Sequence, residues 1–319
     1  MMNEKIVTVL MPAYNAERFI GEAICSVLVQ TFIDFELLII NDGSTDKTEN
    51  VIRHFTDKRI VLINKIHAGI SQALNTGLKN AKGKYIARFD ADDVCFPERL
   101  EKQVNFLATH PDYLLTGSDA EYMLETGEFL FNFKCIAHSH HQIMQKLYFY
   151  CPFIHSSVMY RKNAVMQAGG YPEHAHQFED YLLWVKLAKS GKLYNIPESL
   201  IKVRFNPASV TIDEKWRGKN FRRIKRKIIK RGDVTMFEGN KLLAILKQQN
   251  KEQIKQSAYY ALCGKKFLAN NYQPVKAREQ IKKAITIHPY RWDNYALLVA
   301  SYFPEKIIRW LHKLSPNRL

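Results

Sequence analysis

Apolar stretches alternate with amphipathic stretches along the first third of the chain. Runs dominated by apolar and β-branched residues are typical of strands buried on both faces. Four such runs predict strands: KIVTVLMPA (5–13), FELLIIND (35–42), RIVLIN (59–64) and KYIARFD (84–90). Helices are predicted between them: 17–30, a segment after Ser44 with Ser44 or Thr45 as its cap, and 69–81. The alternation predicts an α/β fold with a mostly parallel central sheet and helices on both faces.

The pattern is looser beyond about residue 110, and strands and helices no longer alternate regularly. The tail from about residue 214 is predicted to be helical. The further predicted elements are strands over 113–134 with a turn at 125–128, a helix over 178–191, one or two strands over 193–205, and helices over 219–232 and 250–288.

Polar segments follow three of the predicted strands. They are PAYN (12–15), NDGSTD (41–46) and DADD (90–93). Ligands of parallel sheets bind beyond the carboxyl ends of the strands, so these three segments predict a binding site.

Asp90 and Asp92 are separated by one residue at the end of a buried strand. Two carboxylates this close repel each other unless a cation lies between them. Mg²⁺ or Mn²⁺ needs only one or two protein carboxylates when phosphate oxygens complete its coordination. The spacing predicts a metal–diphosphate site, and the alternative is that Asp92 and Asp93 cap a helix that starts near Pro97.

Two further acidic positions stand out. Asp42, before Gly43, either belongs to a turn with a helix cap or accepts hydrogen bonds from a nucleobase or ribose. Glu179 and Asp180, taken by themselves, complement the dipole at the start of a helix.

Charge divides the chain into two parts. Residues 1–213 hold 22 lysines and arginines and 24 acidic residues, whereas residues 214–319 hold 25 and 7. We therefore predict one domain over 1–213 and a basic α-helical region over 214–319. The five cysteines show no C-x-x-C spacing and no apolar signal segment precedes them, which predicts reduced thiols in the cytoplasm.

The basic region contains two segments that mix apolar and cationic residues, 219–231 and 305–314. Both suit peripheral attachment to an anionic membrane surface, here the inner face of the cell membrane. For 219–231 the alternative is a helix docked on the first domain with a solvated basic face. No nucleic-acid partner is expected, because the run holds a single aromatic residue, Phe221, and no binding module.

Over roughly residues 5–205 the chain resembles the family 2 glycosyltransferases. The resemblance rests on IVTVLMPAYNAERFIGEAICSVLVQT, LLIINDGSTDKT, YIARFDADDVCFPERL and HSSVMYRKNAVMQAGGYPE followed by FEDYLLWVKLA. It implies a GT-A fold and an inverting transfer of a sugar from a nucleotide diphosphate donor to an acceptor hydroxyl. A UDP-sugar donor, Mn²⁺ or Mg²⁺, and a glycan or lipid-linked acceptor in cell-surface polysaccharide or lipid-linked glycan synthesis are then expected.

The resemblance also implies roles for single residues. Asp180 would be the catalytic base, and Asp92 would bind the metal. The nucleotide would contact Pro12, Ala13, Tyr14, Asn15, Asp42, Asp90 and Ala91. Around the acceptor, Glu179, Trp184 and His155 are candidates, although Trp184 and His155 also suit the core. Asn206 lies where relatives often carry a metal-assisting histidine, which leaves metal use open. A metal-dependent nucleotidyltransferase and a nucleic-acid-binding protein are the alternative functions.

Overall fold

The computed structural model describes residues 6–207, 218–249 and 252–314. They form two compact units. The first unit takes in the described parts of Met1–Glu121, Asn132–Arg204 and Asn220–Ala244, and the second those of Tyr122–Phe131, Phe205–Lys219 and Ile245–Leu319.

The described residues form a nine-stranded sheet, in the order β3-β2-β1-β4-β8-β6-β9-β5, with β7 paired to β6. The strands are β1 (Val7–Ala13), β2 (Phe35–Asn41), β3 (Ile60–Asn64), β4 (Tyr85–Arg88), β5 (Val94–Cys95), β6 (Tyr113–Met123), β7 (Phe129–Phe133), β8 (Met159–Arg161) and β9 (Lys192–Arg204). The pairs among β3, β2, β1 and β4 are parallel. Strand β8 is antiparallel to β4 and β6, and β5 is antiparallel to β9.

Helices cover the sheet, and α3 illustrates how closely they pack. Up to residue 249 the helices are α1 (Ile20–Leu28), α2 (Thr48–Arg53), α3 (Ile70–Asn80), α4 (Arg99–Thr109), α5 (His140–Lys146), α6 (Lys162–Gln167), α7 (Glu179–Leu187), α8 (Lys219–Arg231) and α9 (Met236–Gln249). Helix α3 lies on β1 and β2, where every residue is buried. A Cβ atom at Gly77 of α3 would lie 2.1 Å from Leu10 Cδ1, so only glycine allows this approach.

The predicted α/β class and its mostly parallel central sheet are confirmed. Helices α5 and α6 were not predicted, because helices of seven and six residues are too short to show a helical period. Strand β9 is one continuous strand of 13 residues where one or two short strands were expected. Helix α7 ends at Leu187, before the predicted end at Gly191.

Helix α8 packs its apolar side chains inside the first unit. Phe221, Ile228 and Ile229 are buried, and the Phe221 ring meets Phe178 edge-on at 6.4 Å between centroids. The ammonium group of Lys225 lies 5.6 Å from the centroid of the Phe178 ring. For this segment the structure favours the docked helix over a helix whose apolar stripe is available to a membrane.

The second unit is built around two antiparallel helices, α10 (Glu252–Ala269) and α11 (Pro274–Ile287). Ser257 Oγ donates to the Ala284 carbonyl at 2.8 Å. A Cβ atom at Gly264 would lie 2.6 Å from Ile281 Cγ1, so glycine brings the two helices together. Helices α12 (Trp292–Ala300) and α13 (Glu305–Leu314) follow. Within the described residues, each helix is too short or too polar to cross a membrane.

Candidate active site

The loops after β1 and β2 are tied together by hydrogen bonds. The Asn15 backbone, with a left-handed φ of 49°, donates to Ser44 Oγ at 3.0 Å. The Thr45 backbone N–H donates to Asn15 Oδ1 at 2.8 Å, and Ala16 N–H donates to Thr48 Oγ1 at 2.7 Å. The prediction that Ser44 or Thr45 caps the next helix is therefore wrong, because α2 starts at Thr48 and both residues bond Asn15 instead.

Asp42 is a buried carboxylate held by three donors. Lys65 Nζ lies 2.5 Å from Oδ1. His67 Nδ1 lies 3.0 Å from Oδ2 but forms its hydrogen bond with the main-chain carbonyl of Asp42, also at 3.0 Å. The backbone N–H groups of Ala68 and Gly69 donate to the carboxylate at 3.1 and 2.8 Å. Because Gly69 precedes the first residue of α3, the negative charge also lies at the positive end of that helix.

An aromatic pair lies beside this carboxylate. The rings of Tyr14 and His67 are stacked with centroids 4.2 Å apart, and both side chains are about half exposed. Gly43 allows the approach, since its φ is +73° and a Cβ atom there would lie 2.7 Å from the His67 backbone nitrogen. Lys65 and His67 were missed in the sequence. They directly follow β3, so the rule that ligands bind beyond strand ends could have found them.

Three carboxylates of the DADD loop converge. Oxygen atoms of Asp90, Asp92 and Asp93 all lie within 4.8 Å of one another. Burial and the charge of Asp90 raise the pKa of Asp92 to about 7, as expected for acids that repel each other. Oxygen ligands in this number and spacing fit a hard divalent cation such as Mg²⁺ or Mn²⁺.

The alternative interpretation of these acids as helix caps is wrong. Helix α4 starts at Arg99, and the capping position, Glu98, accepts no side-chain hydrogen bond. Asp93 instead accepts the backbone N–H of Arg204 at 2.8 Å, while Arg204 Nε donates to the Asp92 carbonyl at 2.8 Å. Arg204, at the end of β9, therefore fixes the acidic loop. Asn206 lies two residues further on, in the second unit.

Asp180 lies at the start of α7 beside a buried histidine. His155 Nδ1 is 4.0 Å from Asp180 Oδ2, and His155 Nε2 is 3.1 Å from the Tyr171 hydroxyl. Burial, together with the charge of Arg88, lowers the pKa of His155 well below its usual value, so the imidazole is neutral near pH 7. The Asp180 carboxylate therefore has an uncharged neighbour. It is also partly exposed.

Arg88, which was not predicted, pairs with the first of the DADD carboxylates, and its charge also acts on His155. Its guanidinium is buried and forms an ion pair with Asp90. The Asp90 backbone N–H donates to Ser156 Oγ at 3.0 Å, and Ser156 adjoins His155. This hydrogen bond links the DADD loop to the turn that carries His155, the neighbour of Asp180.

The two remaining acceptor-side candidates are buried. Trp184 is fully enclosed, with its indole near the rings of Phe153, Tyr160 and Tyr171. The structure therefore places Trp184 in the core rather than on a surface where a sugar could stack. Burial and the neighbouring Asp180 charge raise the pKa of Glu179 to about 7.

Glu179→Gln is expected to make stability less dependent on pH. The Glu179 pKa is about 7 in the folded chain against 4.5 in the unfolded chain. As pH rises between these values, Glu179 ionises in the unfolded chain before it ionises in the folded chain. Wild-type stability therefore falls from pH 4.5 to pH 7 and stays low above pH 7. The loss is on the order of 3 kcal/mol, and the amide abolishes it.

Urea unfolding at pH 5 and pH 8 measures this difference, with Glu98→Gln, at an exposed glutamate, as the matched control. If stability fell equally between pH 5 and pH 8 in wild type and in Glu179→Gln, the pKa of Glu179 would have to be the same in the folded and the unfolded chain.

The fold is the GT-A fold of glycosyltransferases. The chain belongs to glycosyl transferase family 2, whose profile matches residues 8–167. It is 32% identical over 216 residues to the amylovoran biosynthesis glycosyltransferase AmsE of Erwinia amylovora, covering 66% of this chain and 80% of AmsE. The protein is therefore a glycosyltransferase, as the resemblance implied.

Two solved structures share the fold. TarS 1-349 of S. aureus, in complex with UDP-GlcNAc, gives a TM-score of 0.58 at 16% identity, over 97% of this chain and 92% of TarS 1-349. The mannosyltransferase PcManGT of Pyrobaculum calidifontis, in complex with GDP-Man and Mn²⁺, gives 0.54 at 17% identity, over 99% and 89%.

Proposed function

We propose that the protein is an inverting glycosyltransferase that moves a sugar from a UDP-sugar to an acceptor hydroxyl. The observations that carry the proposal are the convergence of the DADD carboxylates and the hydrogen bond from Asp90 to Ser156, which adjoins His155, the neighbour of Asp180. The DADD end of such a site can hold a diphosphate, and Asp180 at the other end can accept a proton. The relative AmsE, named for amylovoran biosynthesis, supports a role in cell-surface polysaccharide or lipid-linked glycan synthesis.

The nucleotide is proposed to bind at the ends of β1 and β2. Its contacts are assigned to Pro12, Ala13, Tyr14, Asn15, Asp42, Asp90 and Ala91, and we add His67. The Asp42 carboxylate is a fixed hydrogen-bond acceptor for a nucleobase N–H, and the half-exposed Tyr14–His67 stack offers an aromatic face. The UDP-GlcNAc complex of TarS favours uracil, whereas GDP-Man in PcManGT makes guanine the base to test against it.

Asp92 is proposed as the metal ligand, with Asp90 and Asp93 close by. A bound Mn²⁺ or Mg²⁺ would act as a Lewis acid toward the charge that develops on the leaving diphosphate. Arg88 forms an ion pair with Asp90, and the backbone N–H of Arg204 donates to Asp93. The protein itself therefore fixes the orientation of the DADD loop.

Asp180 is proposed as the base that takes the proton of the acceptor hydroxyl. Its carboxylate is partly exposed at the start of α7, where an acceptor can reach it. Attack from the side opposite the diphosphate inverts the anomeric carbon, and no covalent sugar–enzyme intermediate is required. The neutral His155 contacts Asp180 without forming an ion pair that would weaken the base.

The site of action is proposed to be the cytoplasm, at the inner face of the membrane. A lipid-linked acceptor would place the reaction there, and the basic excess of the last third of the chain suits an anionic surface.

A thermal-shift screen tests the proposed function. UDP and UDP-sugars are expected to raise Tm more than GDP counterparts, and more with Mn²⁺ than without it, because ligands that bind the folded state stabilise it. In His67→Ala, the loss of the ring contact is expected to weaken UDP binding about three- to tenfold. The exposed His141→Ala is the matched control.

The reaction product separates the enzyme classes. Release of UDP from a UDP-sugar supports sugar transfer, whereas release of pyrophosphate from UTP and a sugar phosphate identifies a nucleotidyltransferase. Absence of any shift with UDP and Mn²⁺ over the whole concentration range would contradict the assigned donor.

A further inference from the structure

Helix α12 in the second unit exposes a row of large aromatic and apolar side chains. Trp292, Tyr295 and Val299 follow one another at intervals of three and four residues, so they lie on one helical face. Tyr302 and Phe303 follow in the turn after the helix and are exposed as well. We call these five residues the aromatic face.

Exposure of this face is high for side chains of this size. Trp292 is 84% exposed, Tyr302 66% and Val299 60%. In helix α13, which starts two residues after Phe303, Ile308 is buried whereas Trp310 is 59% exposed. Contiguous apolar surface of this kind marks a site of interaction with a protein or a membrane.

The turn that carries Tyr302 and Phe303 is held in place by its neighbours. Arg278 Nη1 of α11 donates to the Ser301 carbonyl at 3.0 Å, and its guanidinium lies 4.7 Å from the centroid of the Tyr302 ring. The Tyr272 hydroxyl donates to the Phe303 carbonyl at 3.1 Å. These contacts hold the backbone of the turn, and Arg278 orders the Tyr302 ring, before any partner binds, which lowers the entropy cost of binding.

The charge of the segment that carries the aromatic face points to an anionic partner. Residues 245–319 contain 14 lysines and arginines against four acidic residues. Lys306 of α13 is exposed in the helix that also presents Trp310, whereas Arg309 of this helix pairs with Glu305. Tryptophan and tyrosine favour the boundary between lipid headgroups and acyl chains, and cations near that boundary are attracted to an anionic leaflet.

We propose that the aromatic face and α13 form the surface by which the second unit binds an anionic lipid bilayer. The apolar stripe of α8, the other predicted membrane segment, is packed inside the first unit and is not available for this purpose. Only the purpose of this surface rests on the proposed function: the surface would bring the active site to a membrane-bound acceptor.

Vesicle flotation of the full chain tests the surface. Wild type is expected to float with vesicles of phosphatidylcholine and phosphatidylglycerol, and only weakly with phosphatidylcholine alone. The triple variant Trp292→Ala, Tyr302→Ala and Trp310→Ala is expected to bind anionic vesicles at least about tenfold more weakly, since about 1.4 kcal/mol suffices for tenfold. Phe149→Ala with Phe237→Ala removes two equally exposed rings from the first unit and is the control.

A second measurement needs no variant. Tryptophan emission of wild type is expected to be quenched by brominated phospholipids in anionic vesicles, because Trp292 and Trp310 would enter the interface. Absence of flotation and quenching in wild type overturns the proposal, as does unchanged binding by the triple variant. Loss of self-association in the triple variant, without vesicle binding by wild type, would instead make the face a protein interface. Asp92→Ala is expected to bind vesicles normally, which separates this proposal from the proposed function.

Discussion

Asp92→Ala is expected to lower sugar transfer by about 10²- to 10³-fold at saturating donor and Mn²⁺, since a metal's Lewis acidity supplies several kcal/mol and each 1.36 kcal/mol is tenfold. The variant lacks the carboxylate that we assign to the metal, so the charge of the departing diphosphate is less well compensated. The rate of UDP release in the presence of acceptor measures the effect. Asp112→Ala, at a half-exposed aspartate of the first unit, is the control and is expected to retain wild-type activity.

Stability separates this loss from unfolding. Burial and the Asp90 charge raise the pKa of Asp92, so its ionised form destabilises the folded chain in the absence of metal. Asp92→Ala is therefore expected to melt at the wild-type temperature or above it in EDTA at pH 8. It is also expected to lose the increase in Tm that Mn²⁺ gives with UDP. Full transfer activity in a folded Asp92→Ala would refute the metal assignment.

The sequence allowed much of the fold and the loop positions to be predicted, because both depend on local pattern. Buried strands such as β1 and β2 appear as apolar runs, and the acidic residues that follow them mark the ligand edge of the sheet. Asp42 and Asp90 could be singled out for this reason, without knowledge of any tertiary contact.

The partners of those acids could not be predicted in the same way. Arg88 occupies a strand whose pattern gives no sign that its guanidinium pairs with Asp90. The contact between His155 and Asp180 depends on how the 3₁₀ turn at His155–Ser157 packs against helix α7. The spacing of apolar residues within each element does not reveal that packing. Trp184 shows the converse, because the sequence made it a candidate for contact with the acceptor whereas packing encloses the indole.

Asp180→Asn is expected to reduce kcat by about 10²- to 10⁴-fold, the usual contribution of a positioned general base. Asparagine keeps the size of the side chain and can occupy the start of α7, so the fold and the donor site should be preserved. KM for the UDP-sugar, and the Tm increase with UDP and Mn²⁺, are expected to stay within about twofold of wild type, because proton transfer concerns the acceptor alone. Steady-state kinetics with varied donor and acceptor gives both quantities.

The two halves of the site are thereby tested separately. Asp92→Ala should lose the metal-dependent donor shift together with activity, whereas Asp180→Asn should lose activity and keep the shift. Glu179→Gln is the neighbouring control. Its carboxyl is buried with a raised pKa, so the amide should change the pH dependence of stability far more than kcat. If Asp180→Asn retained wild-type kcat while Glu179→Gln lost it, the base would be Glu179. Acceptor binding near the start of α7 would then have to uncover a side chain that is buried in the free protein.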